Sequence, residues 1–267
     1  IVVATPGRLM DHYNRKTIRL DKIQTVVLDE ADRMLDMGFF KDVTRILDKI
    51  KNRRNLGLFS ATISQEVMTV SWMYQRDEVE ITVQPKEESR PDIQQYSVSC
   101  NELEKLLTTI ELLDAMHYER VIIFCNTKHM CQRVSDDLRG RSYSVDCLHG
   151  DIRQSQREKV MQQFREGKLD VLVATDVASR GIDVDDVDCV LNYDIPAENE
   201  YYIHRIGRTG RARKKGVAIS LLGSLLDKAK LDEIAKYSQF TVTPVKLVEG
   251  KLVEQEVKAP VIRKKYR

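Results

Sequence analysis

Short β-branched apolar runs alternate along this chain with segments whose apolar residues recur every three to four positions, and this alternation constrains the fold more than any other feature. Residues 1–5, 25–28, 56–60 and 79–83 read as strands, as do 93–98, 121–125, 144–148, 171–174, 189–192 and 217–222. Helical patterns lie between them, such as 41–50, where Val43, Ile46, Leu47 and Ile50 share one face, and 102–116 and 157–164. Strands alternating with helices imply an α/β fold: parallel sheets flanked by helices. The pattern breaks once. Residues 84–92 are polar, carry Pro85 and Pro91 and show no apolar period, which suits an extended linker over 85–92. The expected organisation is one domain over 1–84, a second over 93–247, and a tail over 248–267. That tail ends basic (Arg263, Lys264, Lys265, Arg267) and reads as a solvated extension.

Composition narrows the class. Apolar residues at 42% and charged residues at 31% describe a globular chain, with no apolar run long enough to cross a bilayer. The five cysteines form no C-x-x-C pair and mostly lie in apolar runs, which suits reduced core thiols in a reducing compartment such as the cytoplasm. A net charge of +2 is too small to argue for a nucleic-acid partner, so local placement must carry that case.

The densest local signal is His204-Arg205-Ile206-Gly207-Arg208-Thr209-Gly210-Arg211. Three arginines suit bidentate phosphate recognition, and the glycines allow close approach. An isolated octamer of this kind is more often a solvated basic helix, but two further motifs ask for the same chemistry. Asp29-Glu30-Ala31-Asp32 follows the apolar run 25–28, at the carboxyl end of a strand, where open α/β sheets bind ligands. A hard cation such as Mg²⁺ takes one or two carboxylates plus phosphate oxygens, and a second acid can orient an attacking water. Ser60-Ala61-Thr62 ends another apolar run and, taken alone, reads as a helix cap.

These three motifs, in this order, resemble the DEAD-box ATP-dependent RNA helicases of superfamily 2. Four further stretches match that family: Thr5-Pro6-Gly7-Arg8, the strand from Val121 to Thr127, Gln154-Ser155-Gln156-Arg157, and Thr175 through Asp183. The resemblance runs from Ile1 to about Leu247. It implies two RecA-like domains, the first incomplete. The family's phosphate loop belongs upstream of Thr5, and no G-x-x-x-x-G-K-[ST] string occurs in the chain. The chain therefore reads as an N-terminally truncated fragment, expected to be inactive alone.

By resemblance, ATP binds between the domains with Mg²⁺. Asp29 holds the metal, Glu30 activates water, Arg208 and Arg211 act as arginine fingers, and Gly181 and Asp183 also contact nucleotide. Asp32, Ser60, Thr62 and His204 form the set that couples ATP to RNA. Thr5, Gly7 and Arg8, with Gly150, Gln154, Arg157 and Thr175, contact the RNA backbone without reading sequence. The expected molecule is a cytoplasmic helicase with a monomeric core and no membrane partner. A non-catalytic RNA-binding module and a DNA-acting relative are the competing readings. The tetrapeptide and the octamer both favour the RNA branch.

Overall fold

A computed structural model of the chain describes residues 1–83, 92–179, 187–210 and 215–255, and for Asp36, Met37, Val177 and Ser179 only the backbone. The chain divides into two compact units, Ile1–Gln84 and Pro85–Arg267.

The first unit comprises α1 (Pro6–Asn14), β1 (Thr25–Leu28), α2 (Ala31–Met34), a π turn (Leu35–Phe39), α3 (Phe40–Lys49), β2 (Asn55–Leu58) and α4 (Gln65–Tyr74). The two strands pair in parallel, Thr25 opposite Asn55 through Leu28 opposite Leu58. Strand alternation sends Val26 and Leu28 against a core of Ala31, Leu35, Val43, Leu47, Val67 and Val70. Val27 points the other way and is 56% exposed. Among the described residues, helices cover only one face of β1. Helix α3 buries Val43, Ile46 and Leu47, as its spacing requires, and each contributes roughly 1.5–3 kcal/mol. Gly38, at φ 85°, breaks the helical path just before α3.

The second unit runs β3 (Ile93–Ser99), a 3₁₀ turn (Glu102–Glu104), α5 (Lys105–Met116), β4 (Val121–Phe124), α6 (Lys128–Arg139), β5 (Val145–Leu148), α7 (Gln154–Arg165), β6 (Val171–Ala174), α8 (Asp176–Ser179), β7 (Cys189–Asn192), α9 (Asn199–Ile206), β8 (Gly216–Leu222), α10 (Leu225–Ser238), β9 (Thr243–Val248) and β10 (Lys251–Glu254). Its sheet has the order β10-β9-β3-β8-β7-β4-β6-β5. Every pairing is parallel except β10 with β9. Strands β4, β6 and β7 are buried at every position, which is why their sequences are continuous apolar runs. Alternate residues of β4 enter opposite cores: Val121 and Ile123 one, Ile122 and Phe124 the other. The chain leaves β4 for β5, returns through β6, then crosses to β7 on the other side of β4. The carboxyl ends of β4, β6 and β7 therefore surround a topological switch point, where doubly wound sheets bind ligands.

Three expectations are corrected. Residues 1–5 and 79–83 form no strand; Val3, Val79, Ile81 and Val83 are each more than 80% exposed. Their apolar pattern meets no paired edge among the described residues, and an unpaired strand has nothing to hold it. The tail expected from 248 onward instead begins with β10, folded back on β9. Glu249 and Gly250, at φ 48° and 75°, make the two-residue positive-φ turn that suits a hairpin.

Candidate functional site

In the first unit, the sheet ends by pushing two carboxylates outward. Phe59 N–H donates to Leu28 O and Ala31 N–H to Phe59 O, both at 2.9 Å. The ladder thus closes around Asp29 and Glu30, which stand exposed at the strand end. Glu30 adopts a left-handed conformation, φ 48° and ψ 47°. A residue with a side chain pays about 1–3 kcal/mol there, a strain typical of functional positions. The Glu30 N–H donates to Asp29 Oδ1 at 3.0 Å, and Arg33 pairs with Glu30 Oε2 at 3.0 Å. The Glu30 side chain is 59% exposed, so that pair is worth about 0–1 kcal/mol and leaves the carboxylate accessible.

Asp32 lies two residues on and is 4% exposed. Its Oδ1 accepts the Arg33 N–H at 2.9 Å; its Oδ2 accepts both the N–H and the hydroxyl of Thr62 at 2.8 Å. Ser60 Oγ accepts the Asp32 N–H at 3.1 Å and donates to Thr62 O at 2.6 Å. Burial pushes the Asp32 carboxyl up, but the bonds from Thr62, Arg33 and Ser60 outweigh it and hold the group below the ordinary carboxylate range. Ser60 and Thr62 are thus not helix caps. Ser64 caps α4 instead, accepting from Val67 N–H.

Thr5, in extended conformation, is the N-cap of α1, with Pro6 at the first helical position. Gly7 and Arg8 follow in the first turn, whose N–H groups have no partner within the helix. A Cβ at Gly7 would meet nothing within 4 Å, so the surface there is open. Arg8 pairs with Asp11 at 3.0 Å and is 63% exposed.

In the second unit the octamer divides by burial. Arg205, on the inner face of α9, is 1% exposed. Its Nε and Nη2 donate to the two oxygens of Asp176, each at 2.6 Å. Nη2 also donates to Asn126 Oδ1 at 2.8 Å, and Nη1 to Asp194 O at 2.6 Å and Asn192 Oδ1 at 3.2 Å. The guanidinium lies 5.1 Å from the centre of the Phe124 ring. All five donors are used, and the partners stand at the carboxyl ends of β4, β6 and β7. The switch-point crevice of this unit is therefore filled by an arginine of its own chain. Thr209 is also buried, its hydroxyl donating to Val187 O and Asp188 O. Gly216 must be glycine here, since a Cβ would stand 2.4 Å from Gly210 N.

Arg208 and His204 are half-buried, and His204 Nδ1 has no hydrogen-bond partner among the described residues. Gly150 is exposed, with open space where a Cβ would be. Gln154, the first residue of α7, is exposed and bonds Glu158 at 2.9 Å. Arg157 donates to Ala178 O, tying α7 to α8, the short helix that follows Thr175. Thr175 is 8% exposed and its N–H reaches Leu148 O at 3.1 Å. Gly181, Asp183 and Arg211 lie outside the described residues. Sequence reasoning missed Arg205, Asp176, Asn126 and Asp194 as a set. The signal available was spacing: Tyr202, Arg205 and Ile206 share one helical face, and all three are buried.

Two family models match: DEAD/DEAH box helicase over residues 1–70, and the helicase conserved C-terminal domain over residues 102–213. The DEAD-box ATP-dependent RNA helicase CshA of Bacillus cereus is 45% identical over 219 residues, 82% of this chain and 42% of that protein. The ATP-dependent RNA helicase DeaD of Buchnera aphidicola is 44% identical over 221 residues, covering 82% and 36%. The chain thus spans about two fifths of the length of these curated relatives. Among solved structures, Saccharomyces cerevisiae Dbp5 bound to RNA and ADP BeF3 is similar with a TM-score of 0.80 and 36% identity, covering 91% of this chain and 64% of that one. The C-terminal domain of Dbp5 matches at 38% identity and a TM-score of 0.55, over 58% of this chain and 91% of that one. By motif, by fold and by these likenesses, the chain belongs to the DEAD-box family of helicases.

Proposed function

We propose that the full-length protein is an ATP-dependent RNA helicase that couples ATP binding and hydrolysis to opening short RNA duplexes or remodelling RNA–protein complexes. The observation that carries this reading is the division of Asp29-Glu30-Ala31-Asp32 into two exposed carboxylates at a strand end and one buried carboxylate wired to Ser60 and Thr62. Glu30 orients and deprotonates the attacking water, a role supported by its exposed carboxylate and left-handed backbone at the strand end. Asp29, exposed at the strand end, fits the needs of Mg²⁺, which takes few carboxylates and completes its shell with phosphate oxygens and water. Bound there, the ion would neutralise charge on the transferring phosphate. Arg208 and Arg211 serve as arginine fingers, and Gly181 and Asp183 contact the nucleotide. Asp32, Ser60, Thr62 and His204 couple the nucleotide site to the RNA site. We assign the nucleotide-binding role to residues 1–84 and the second helicase domain to 93–247.

RNA is held through its backbone. The open first turn of α1 at Thr5, Gly7 and Arg8 presents N–H groups and a cation, which suits a phosphate. Gly150 and Gln154 are exposed, Thr175 lies near them in the fold, and Arg157 holds the short helix after Thr175. Phosphate and 2′-hydroxyl contacts bind without reading bases and favour RNA over DNA.

Glu30→Gln in the full-length protein tests this reading. RNA-stimulated kcat should fall by about 10²-fold or more while RNA affinity persists, because shape is kept and the base is lost. An unchanged kcat would remove Glu30 from the mechanism. The 267-residue chain by itself, which contains no phosphate-loop string, should turn over no ATP in the same assay.

A further inference from the structure

Beneath the Arg205 cluster lies a second buried cation. Lys105 opens α5 and is 2% exposed. Its Nζ stands 3.0 Å from Glu102 Oε2, 3.5 Å from Asp194 Oδ1 and 3.6 Å from Asp227 Oδ2, and 5.7 Å from the centre of the Tyr193 ring. Burial pulls the ammonium down, but the three carboxylates outweigh it and raise its pKa, so the group stays charged. The packing is close. A Cβ at Gly223 would fall 2.7 Å from Lys105 Cε and 2.0 Å from Glu102 Oε2.

Two of the three carboxylates have a second task. Asp227 Oδ2 accepts the N–H groups of Gly223 and Ser224 at 2.9 and 3.1 Å, capping α10. Asp194 Oδ2 accepts the N–H of Asn126 at 3.0 Å, and the Asp194 carbonyl takes one Arg205 Nη1 proton. Asn126 Oδ1 in turn accepts from Arg205 Nη2, and its side-chain N–H donates to Ile195 O. Lys105 therefore touches Asp194, Asp194 touches Asn126 and Arg205, and Arg205 grips Asp176 while its own helix leads into Arg208.

We infer that Lys105 is a positioning residue for the octamer: by fixing Asp194 it sets the place of Arg205, and through Arg205 the places of Thr175 and Asp176 and of Arg208. The inference rests on the helicase reading above. Lys105 has no direct part in the chemistry. Its removal leaves Asp194 turned between two neighbouring carboxylates with no cation, so the loop after β7 shifts and Arg205 loses the alignment of at least one acceptor. A positioned group displaced by even 1 Å can cost a large factor in rate.

The test uses the full-length protein with Lys105→Met, Asp194→Asn and the double variant, with Lys230→Met as a charge-matched surface control. RNA-stimulated ATP turnover, the KM for RNA, ATP affinity and Tm are measured at a temperature well below every Tm. The expected result for Lys105→Met is a fall in kcat of about 10-fold with ATP affinity unchanged. The double variant should lose no more than about twofold beyond the worse single, because both act through Asp194. Should Lys105→Met fail to fold, Asp194→Asn keeps side-chain shape and the carbonyl, and a several-fold loss of kcat is expected of it alone. A lowered Tm with wild-type kcat overturns the inference and leaves Lys105 structural. So do kcat losses that multiply in the double variant. Wild-type protein with no RNA-stimulated turnover would overturn the helicase reading itself and this inference with it.

Discussion

The two units solve the same problem with opposite chemistry. Each carries a charged motif of which part reaches solvent, at exposed Asp29 and Glu30 or half-buried Arg208, and part is buried as wiring. In the first unit the wire is Asp32, whose carboxylate accepts from neutral donors of Thr62 and Arg33 while its N–H donates to Ser60 Oγ. In the second it is Arg205, a permanent cation with all five donors matched to Asp176, Asn126, Asn192 and Asp194. A carboxylate held by neutral groups can be switched off by a proton. A guanidinium cannot. The first unit's wiring therefore centres on a group that acid can neutralise and is modest in energy, whereas the second unit's centres on a fixed cation and is costly to break.

The comparison is sharpest at the half-buried arginines of the second unit. Arg208→Ala should lower kcat about 10³-fold or more, as loss of an arginine finger does, with a smaller effect on RNA affinity. Arg157→Ala should instead weaken RNA binding, since its guanidinium holds the Ala178 carbonyl in the short helix after Thr175. Steady-state kinetics and RNA titration on both variants separate the two roles. If both lost only RNA affinity, the finger assignment would be wrong.

Next in size comes the wire of the second unit. Arg205→Met should destabilise that unit by about 3–5 kcal/mol, because a buried guanidinium and its five hydrogen bonds to Asp176, Asn126, Asn192 and Asp194 are lost together. Arg205→Lys should recover little, since an ammonium has three donors and no fork to span five acceptors. Chemical unfolding followed by fluorescence or circular dichroism reads this directly. A loss under about 1 kcal/mol would mean that the cluster is energetically idle.

The smallest effect is the pH dependence of the first unit. Because the folded state holds the Asp32 carboxyl below its unfolded value, the contribution of Asp32 is fully present above an ordinary carboxyl pKa of about 3.9. It is lost as pH falls through the lower, folded value. The stability gap between wild type and Asp32→Asn should be flat from pH 7 to 5 and narrow below about pH 4. A gap that changes across neutral pH would assign the titration to another group.

The sequence made the exposed chemistry legible and the wiring hard to see. Asp29 and Glu30 are readable because strand-end carboxylates follow an apolar run. The three arginines of the octamer, by contrast, look alike as letters. Only the 3.6-residue period, which sets Arg205 beside Tyr202 and Ile206, marks one of them as inward-facing. Partners such as Asn126 and Asp194 are 79 and 11 residues from Arg205, and no local pattern joins them. Lys105 was hidden in the same way, a charged letter at an inward position of an amphipathic helix. The β9–β10 hairpin was missed although Val245, Leu247 and Leu252 alternate around a Glu-Gly turn; the basic residues beyond it drew everything from 248 onward, β10 included, into a solvated tail. The strands expected at 1–5 and 79–83 had the right composition and lacked a pairing edge, which composition cannot supply.

The central claim, that burial divides each motif into chemistry and wiring, is most directly tested by two substitutions two residues apart. Thermal unfolding of Glu30→Gln and Asp32→Asn is measured beside wild type in the full-length protein. Both Asp32 oxygens accept bonds, so an amide must turn N–H groups toward existing donors; a loss of about 1–3 kcal/mol in the first unit is expected. Glu30 is mostly exposed, so its variant should stay within about 0.5 kcal/mol of wild type while losing ATP turnover. Equal destabilisation by the two, or a Glu30→Gln protein that is both stable and fully active, would contradict the division.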